Sequence, residues 1–423
     1  MEDLKDYARQ LGLEARRAAR RLAVMQDSVK SEALRQIATS LRAEAEALLE
    51  ANQRDVATAE AANLAAPLVE RLRLTPRRIE SMAEGVAQIA SQIDPVGQTI
   101  QAYNRPNGLR VEKRRCPIGV VLFFYESRPN VTADAAALCI KSGNAVILRG
   151  GKEAMHSNTA IATIISRSIA AAGLPAASVQ LVQTTDRALV PILLKQRDLI
   201  DLVIPRGGKS LIEAVVAEST IPVLKHFDGN CHLYVDQHID GIEQQVIDVC
   251  VNAKTSYPGG AVCNAVEHIL FHERAASRLL AKVCDALAAR GVQIRADELA
   301  RTLYPAAVPA TSEDWTTEYL ALIVGVKVVR SLEEAIQHIN TFGSHHTDGI
   351  LSTDRAACER FANEVDSSSV MINASTRFAD GGEYGLGAEL GISTDKLHAR
   401  GPMGAADLTT YKWIVSGQGH VRG

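Results

Sequence analysis

Three stretches of this 423-residue chain combine residue types that could act on a substrate. The first is Ser256-Tyr257-Pro258-Gly259-Gly260-Ala261-Val262-Cys263-Asn264, in which Pro and paired Gly bend the backbone just ahead of an apolar run. A thiol on such a turn stands where an activated nucleophile would be placed, with backbone N–H groups beside it to receive an oxyanion. Free cysteines in general are buried and inert, and Cys139, Cys250, Cys284 and Cys358 fall inside helical patterns where that description suffices. The other two stretches are Arg149-Gly150-Gly151-Lys152 and Pro205-Arg206-Gly207-Gly208-Lys209. Each sets paired Gly, which lets backbone approach a phosphate, among cations that balance its charge. One such turn alone reads as a tight turn with solvated charges; two on neighbouring strand ends point to a phosphorylated ligand. Gly208-Lys209-Ser210 imitates the close of a P-loop, but Val203 stands where that loop requires its first Gly. No predicted strand is followed by a Gly-x-Gly-x-x-Gly fingerprint either.

The elements that must hold these residues follow from periodicity. Leu4, Tyr7, Ala8, Leu11, Ala15, Ala18 and Leu22 recur at helical spacing, a second helix is expected from Ser31 to about Asn52, and a third from Pro76 to Ile93 with Thr75 as N-cap. Gln98–Tyr103 and Leu109–Arg115 are short extended runs joined by Arg105-Pro106-Asn107-Gly108, a β-hairpin whose Arg110, Lys113, Arg114 and Arg115 suit a surface facing a partner subunit better than a core. From residue 118 strands and helices alternate: strands at 120–125, 145–149, 179–182 and 199–204, helices at 131–141, 157–172, 186–195 and 209–218. A second alternating block starts near Cys231, with strands at 233–235, 266–271, 292–295, 320–329, 349–351 and 369–373 and helices at 242–253, 274–289, 332–340 and 355–364. The stretch 381–404 is loop-like, and 408–415 closes the chain as a strand. Alternation of this length predicts an α/β fold, two tandem Rossmann-like parallel-sheet domains plus the hairpin.

Composition excludes several classes. Apolar residues make up 47%, charged residues 22% and aromatics 4%, as in ordinary soluble globular proteins. Lys plus Arg number 46 against 49 for Asp plus Glu, so no cation excess exists for a nucleic-acid partner. No run of about 18 apolar residues and no apolar leader in residues 1–30 leaves no expected membrane partner. Seven Cys without a CxxC pair fit neither a disulfide framework nor a zinc site, and a reducing cytoplasm is expected. His345 and His346, a loop pair without a carboxylate or Cys at ligand spacing, are assigned no metal.

Pro117-Ile118-Gly119-Val120, the strand end Ile147-Leu148-Arg149, the Gly-Gly-Ala-Val-Cys263 turn, Glu318-Tyr319-Leu320 and the closing Asn373 strand come in the order and spacing of the aldehyde dehydrogenase superfamily, which nearly the whole chain resembles. More narrowly, Ala335–Asn340, Gly343–Asp348 and His398–Gly404 resemble the branch that reduces glutamyl 5-phosphate. That resemblance implies an aldehyde dehydrogenase-like fold: a nucleotide-binding domain of residues 1–97 and 117–230, an oligomerisation hairpin and tail at 98–116 and 405–423 that make a homo-oligomer, and a catalytic domain of 231–404. It implies an atypical nucleotide domain without the glycine fingerprint. Arg149 stands where the superfamily keeps a Lys against the adenosine ribose, and a guanidinium there suits a 2′-phosphate, so NADP(H) is the expected cofactor, with Gly150, Gly151, Lys152, Arg206, Gly207 and Gly208 around it. Glu318 matches the carboxylate that binds the nicotinamide ribose. Cys263 becomes the catalytic thiol, which forms a thioester on the way from glutamyl 5-phosphate to glutamate 5-semialdehyde, the second step from glutamate to proline.

Two departures matter. Phe227, in His226-Phe227-Asp228-Gly229-Asn230, replaces the Glu that activates water in hydrolytic members, and a Phe cannot serve as a general base. Ser127, in Tyr125-Glu126-Ser127-Arg128-Pro129, replaces the oxyanion-donating Asn, so that role passes to Ser127 or to the Cys263 N–H. For the substrate's amino and carboxylate ends the candidates are Arg377, Phe378, Glu126 and Arg128. Two alternatives stay open: a hydrolytic NAD(P)-dependent semialdehyde dehydrogenase, and a non-catalytic nucleotide-binding protein.

Overall fold

The computed structural model describes residues 2–225 and 228–422. They group into two compact units, Met1–Lys225 with Gly385–Gly391 and Met403–Gly423, and His226–Tyr384 with Ile392–Pro402.

The first unit opens with helices α1 (Glu2–Leu22), α2 (Asp27–Ala43), α3 (Ala45–Ala61), α4 (Ala66–Leu72) and α5 (Pro76–Ser91). Ala8, Leu11, Ala15, Ala18 and Leu22 are buried along α1, as their spacing predicts. The helix expected from Ser31 to Asn52 is two, broken at Glu44 (φ −106°, ψ 22°). The apolar period continues across that break, so the pattern could not reveal it. Thr75 caps α5, its hydroxyl accepting from the Arg78 N–H, with Pro76 in the first turn. After β1 (Thr99–Asn104) and β2 (Arg110–Pro117) come β3 (Val120–Tyr125), α6 (Asn130–Lys141), β4 (Ala145–Gly150), α7 (Met155–Ala171), β5 (Val179–Leu181), α8 (Leu189–Leu193), β6 (Leu202–Arg206) and α9 (Lys209–Glu218). The sheet order is β5-β4-β3-β6, all parallel. Every residue of Val-Val-Leu-Phe-Phe-Tyr in β3 is buried, the composition of a strand covered on both faces. β6 starts later than Leu199 because the Asp201 carboxylate is engaged by Arg16 and by the Val120 N–H ahead of it. The helix expected over 186–195 shrinks to α8, with Pro191 inside it.

The second unit runs through β7 (Cys231–Val235), α10 (Glu243–Thr255), β8 (Val266–His272), α11 (Glu273–Ala275), a π-helical turn, α12 (Ala281–Ala288), β9 (Gln293–Ala296), α13 (Glu298–Leu303), β10 (Val308–Pro309), β11 (Ile323–Val329), α14 (Leu332–Phe342), β12 (Thr347–Leu351), α15 (Arg355–Glu364) and β13 (Ser369–Ile372). Its seven strands are parallel in the order β10-β9-β11-β8-β7-β12-β13. β11 begins at Ile323, not Leu320, because Leu320 holds φ +49°, a left-handed conformation that no strand continues. The short antiparallel pair β14 (Ile392–Ser393) and β15 (Gly401–Pro402) lies within the stretch expected as loop.

The expected hairpin forms in the first unit. β1 pairs antiparallel with β2 through a turn in which the Gly108 N–H donates to the Arg105 carbonyl at 2.9 Å and Gly108 adopts φ +88°. The terminal strand β16 (Thr409–Ser416) pairs with the other edge of β2, making a three-stranded sheet.

Candidate active site

At the C-terminal end of the first unit's sheet lies a cavity of about 410 Å³ lined by Glu126, Arg149, Gly150, Gly151, Lys152 and Arg187, among others. β4 delivers Arg149 to its rim. Burial and the neighbouring Arg187 guanidinium both lower the pKa of Arg149, against a smaller pull from Glu153 and Glu126. The buried Arg149 Nε has no hydrogen-bond partner. Two crowded guanidiniums with an unused donor are what an anionic group would relieve. Arg187 was missed by the sequence reading because it lies beyond β5, and only the parallel order β5-β4 brings it beside Arg149. A Cβ on Gly150 would stand 2.1 Å from Asn158 Nδ2, so any larger residue there would displace that amide. Glu126 lies across the next turn, where its Oε2 accepts from the Gly208 N–H at 2.9 Å, a carboxylate resting on the N-terminus of α9. The Gly208 N–H, expected at the cofactor, is thus occupied by the protein's own carboxylate.

Three expectations change. Ser127, buried at φ +47°, donates both its N–H and its hydroxyl to Glu153 Oε1 at 2.7 and 2.9 Å, so its donors are already committed and cannot receive an oxyanion without leaving that carboxylate. Arg206, expected beside the cofactor, instead lies 3.5 Å from the Glu389 carboxylate, with its Nη1 2.8 Å from where a Cβ on Gly391 would sit. Glu126, expected to meet substrate, is engaged on Gly208. Arg128 is half-buried at the start of α6, its carbonyl accepting from the Val131 N–H.

In the second unit, Cys263 is half-buried on the turn between α10 and β8. Gly259 and Gly260 take φ +68° and +65°, the conformations that explain the pair. The turn is gripped from several sides. A Cβ on Gly229 would lie 2.0 Å from the Cys263 carbonyl oxygen, so only Gly fits. The Cys231 thiol donates to that same oxygen at 3.1 Å, and burial pushes the Cys231 pKa well up, leaving a neutral structural thiol. The Asn264 amide donates to the Ala379 carbonyl at 2.9 Å, and the Thr376 hydroxyl donates to the Asn264 carbonyl at 2.7 Å. Arg377 belongs to this cluster: its Nε donates to the Ser256 hydroxyl at 3.2 Å and its guanidinium lies 5.6 Å from the Tyr257 ring centre. Phe378 beside it is exposed. Glu318 lies within electrostatic reach of Cys231, Lys254 and Glu267 beneath the turn. His346 is fully buried with its Nδ1 3.7 Å from Cys231 Sγ, and His345 Nδ1 meets the Asp366 carbonyl at 2.6 Å. Among the described residues no group of three His, Cys, Asp or Glu could hold a metal ion. Phe227, the expected departure from hydrolytic members, lies outside the described residues.

One parallel-sheet unit carries a cavity rimmed by Arg149, Arg187 and Lys152, and the other carries Cys263 on a turn bent at Gly259 and Gly260. A model of the aldehyde dehydrogenase family matches residues 9–300, and the chain belongs to that family. It is 50% identical over 422 residues, 100% of this chain and 96% of the other, to the gamma-glutamyl phosphate reductase of Rhodopirellula baltica. The gamma-glutamyl phosphate reductase of Thermotoga maritima superposes with a TM-score of 0.94 at 41% identity, covering 98% of this chain and 100% of that one. That of Saccharomyces cerevisiae does so at 0.55 and 35% identity, covering 98% of each. An acetylating aldehyde dehydrogenase of Geobacillus thermoglucosidasius, at 0.70 and 18% identity over 100% and 98% of the two chains, shares the fold.

Proposed function

We propose that the chain reduces L-glutamyl 5-phosphate with NADPH to L-glutamate 5-semialdehyde and phosphate, the second step of proline biosynthesis from glutamate. Half identity over the full length to a gamma-glutamyl phosphate reductase carries this reading. The gripped turn supplies the chemistry. Cys263 Sγ, as thiolate, attacks the acyl carbon, the C–O bond to phosphate breaks, and a thioester remains. The oxyanion is assigned to the Cys263 N–H, since the donors of Ser127 are held by Glu153. A nicotinamide dinucleotide, when bound, would supply the hydride that reduces this thioester. Collapse of the resulting oxyanion breaks the C–S bond and returns the thiolate. Residue 227 is Phe, so no carboxylate at that position activates water against the thioester.

Arg149, Arg187 and Lys152 around the cavity suit a 2′-phosphate and favour NADP(H), with Gly150 and Gly151 close to the ligand backbone, Gly207 and Gly208 as the second cradle, and Glu318 on the nicotinamide ribose. Arg377, fastened to the nucleophile's own turn, is assigned the substrate carboxylate, with Phe378 alongside. The nucleotide-binding role falls to the first unit and catalysis to the second; the three-stranded sheet joins copies of the chain in a homo-oligomer. Among the described residues no helix is long and apolar enough to cross a membrane, and the cytoplasm is the assigned compartment.

The test runs the reaction backward with NADP⁺ and glutamate 5-semialdehyde, following NADPH. Formation only with added inorganic phosphate, and its loss by at least about a thousandfold in Cys263→Ala, is the expected result. Equal formation without phosphate would mean that water resolves the thioester and would favour the hydrolytic dehydrogenase.

A further inference from the structure

Flanking the Cys263 turn is an ion pair that the proposed reaction does not use. Lys254, in the last turn of α10, places Nζ 2.7 Å from Glu267 Oε2 on β8, and both side chains are fully buried. Removing two charges from water costs several kcal/mol per ion in general, and apolar residues of equal volume usually serve stability as well or better. Packing alone therefore does not account for the pair. Its placement does. The two residues flank the turn 256–265 in sequence, and Gly260 of the turn is pressed against the Lys254 and Ala321 backbones: a Cβ on it would lie 3.2 Å from the Lys254 carbonyl and 2.9 Å from that of Ala321. The Tyr319 backbone N–H donates to the Glu267 carboxylate, and the Glu318 carboxylate repels it. Lys254 is drawn toward the Glu267 and Glu318 carboxylates. Burial lowers the Lys254 pKa and raises that of Glu267 to about 7, the attraction between the two opposes both shifts, and Glu318, the group assigned to the nicotinamide ribose, adds to the rise at Glu267.

We propose that Lys254 and Glu267 are positioning residues for the reductase reaction, holding the Cys263 turn and the Glu318–Ala321 segment in register with each other. The inference rests on the functional reading above for its kinetic consequence, though not for its structural one. Neither residue touches substrate. An ion pair serves this purpose better than packing because it accepts one relative position of α10 and β8, whereas apolar contacts tolerate a slide of an ångström. Displacement on that scale at a reacting centre costs on the order of a hundredfold in rate.

The test compares the unmodified chain with Lys254→Met, Glu267→Gln and the double variant Lys254→Met/Glu267→Met. The single variants leave a buried charge or polar group alone and are expected to lower Tm; the double variant is expected to unfold within about 3 °C of the unmodified chain. In the double variant kcat should fall by about thirtyfold or more with the KM for NADPH changed by less than about threefold. The rate at which iodoacetamide alkylates Cys263, followed on its own peptide by mass spectrometry, should fall at least about fivefold. A double variant that regains both Tm and kcat would show the pair to be structural only, and an unchanged alkylation rate would likewise overturn the proposal. If instead the unmodified chain makes no phosphate-dependent NADPH, the functional reading fails while the alkylation rates still decide whether the pair holds Cys263.

Discussion

Arg149 and Arg187 repel each other across the cavity rim, and neither the Glu153 nor the Glu126 carboxylate fully offsets this. A phosphate ester between them would gain charge-assisted hydrogen bonds and remove the repulsion at once. Arg187→Ala should therefore raise the KM for NADPH about ten- to a hundredfold and leave that for NADH within about threefold, measured as separate kcat/KM values for the two cofactors. A second residue carries a pH dependence. Burial pushes the Asp134 carboxyl up to about 6, with Glu389 adding to the rise and Asn130 and Arg206 opposing it. A carboxyl whose folded pKa lies above its unfolded value binds more protons folded than unfolded between about pH 4 and 6, so stability falls as pH rises through that window and is level above it. Asp134→Asn should consequently stabilise the fold at pH 8 by up to about 3 kcal/mol, read as a raised Tm, and change Tm little at pH 4. Equal Tm shifts at both pH values would refute the assignment.

Among the elements, what periodicity can report was legible: both alternating blocks, the N-cap at Thr75, the hairpin turn and the bent turn before β8 all follow from local composition. What failed to show was always a relation between distant positions. Arg187 joins Arg149 only through strand order, Ser127 loses its donors to Glu153 on the following turn, and Lys254 meets Glu267 across the whole Cys263 turn. The breaks at Glu44 and Leu320 were equally hidden, since each is a backbone conformation at a residue type that permits others. Gly229 stands between these cases: it is visible in the sequence as one Gly among many, yet its reason is the carbonyl of Cys263 against which the chain leading to β7 is pressed. Gly229→Ala would have to push the Cys263 backbone away, and, with Cys263 in the proposed role, activity should drop by at least about a hundredfold with the far-UV CD spectrum retained. Retained activity would mean that the lead-in to β7 yields while the Cys263 turn stays in place.

For the molecule as a whole, the proposed homo-oligomer rests on the three-stranded sheet of β1, β2 and β16. Its register places Tyr103, Val111 and Val415 in one cross-strand row and Gln101, Lys113 and Trp413 in the next, with Tyr411 opposite Arg115, so all of these share a face. Tyr103, Tyr411, Trp413 and Val415 on that face are exposed, and Lys113 Nζ sits 3.6 Å from the centre of the Tyr411 ring. An aromatic and apolar face of this kind, next to an edge strand with unpaired backbone groups, is a surface that monomeric proteins avoid leaving open. A second copy of the chain offers the same face and the same edge, which is the self-complementarity that a two-fold contact requires. Replacing Trp413 and Val415 by Glu puts like charges opposite each other across such a contact, and both positions are solvent-facing, so the fold of each chain should persist. Light scattering on the eluting peak should show the mass fall toward that of one chain. An unchanged mass, with the unmodified chain itself oligomeric, would place the contact elsewhere and leave this sheet to another partner.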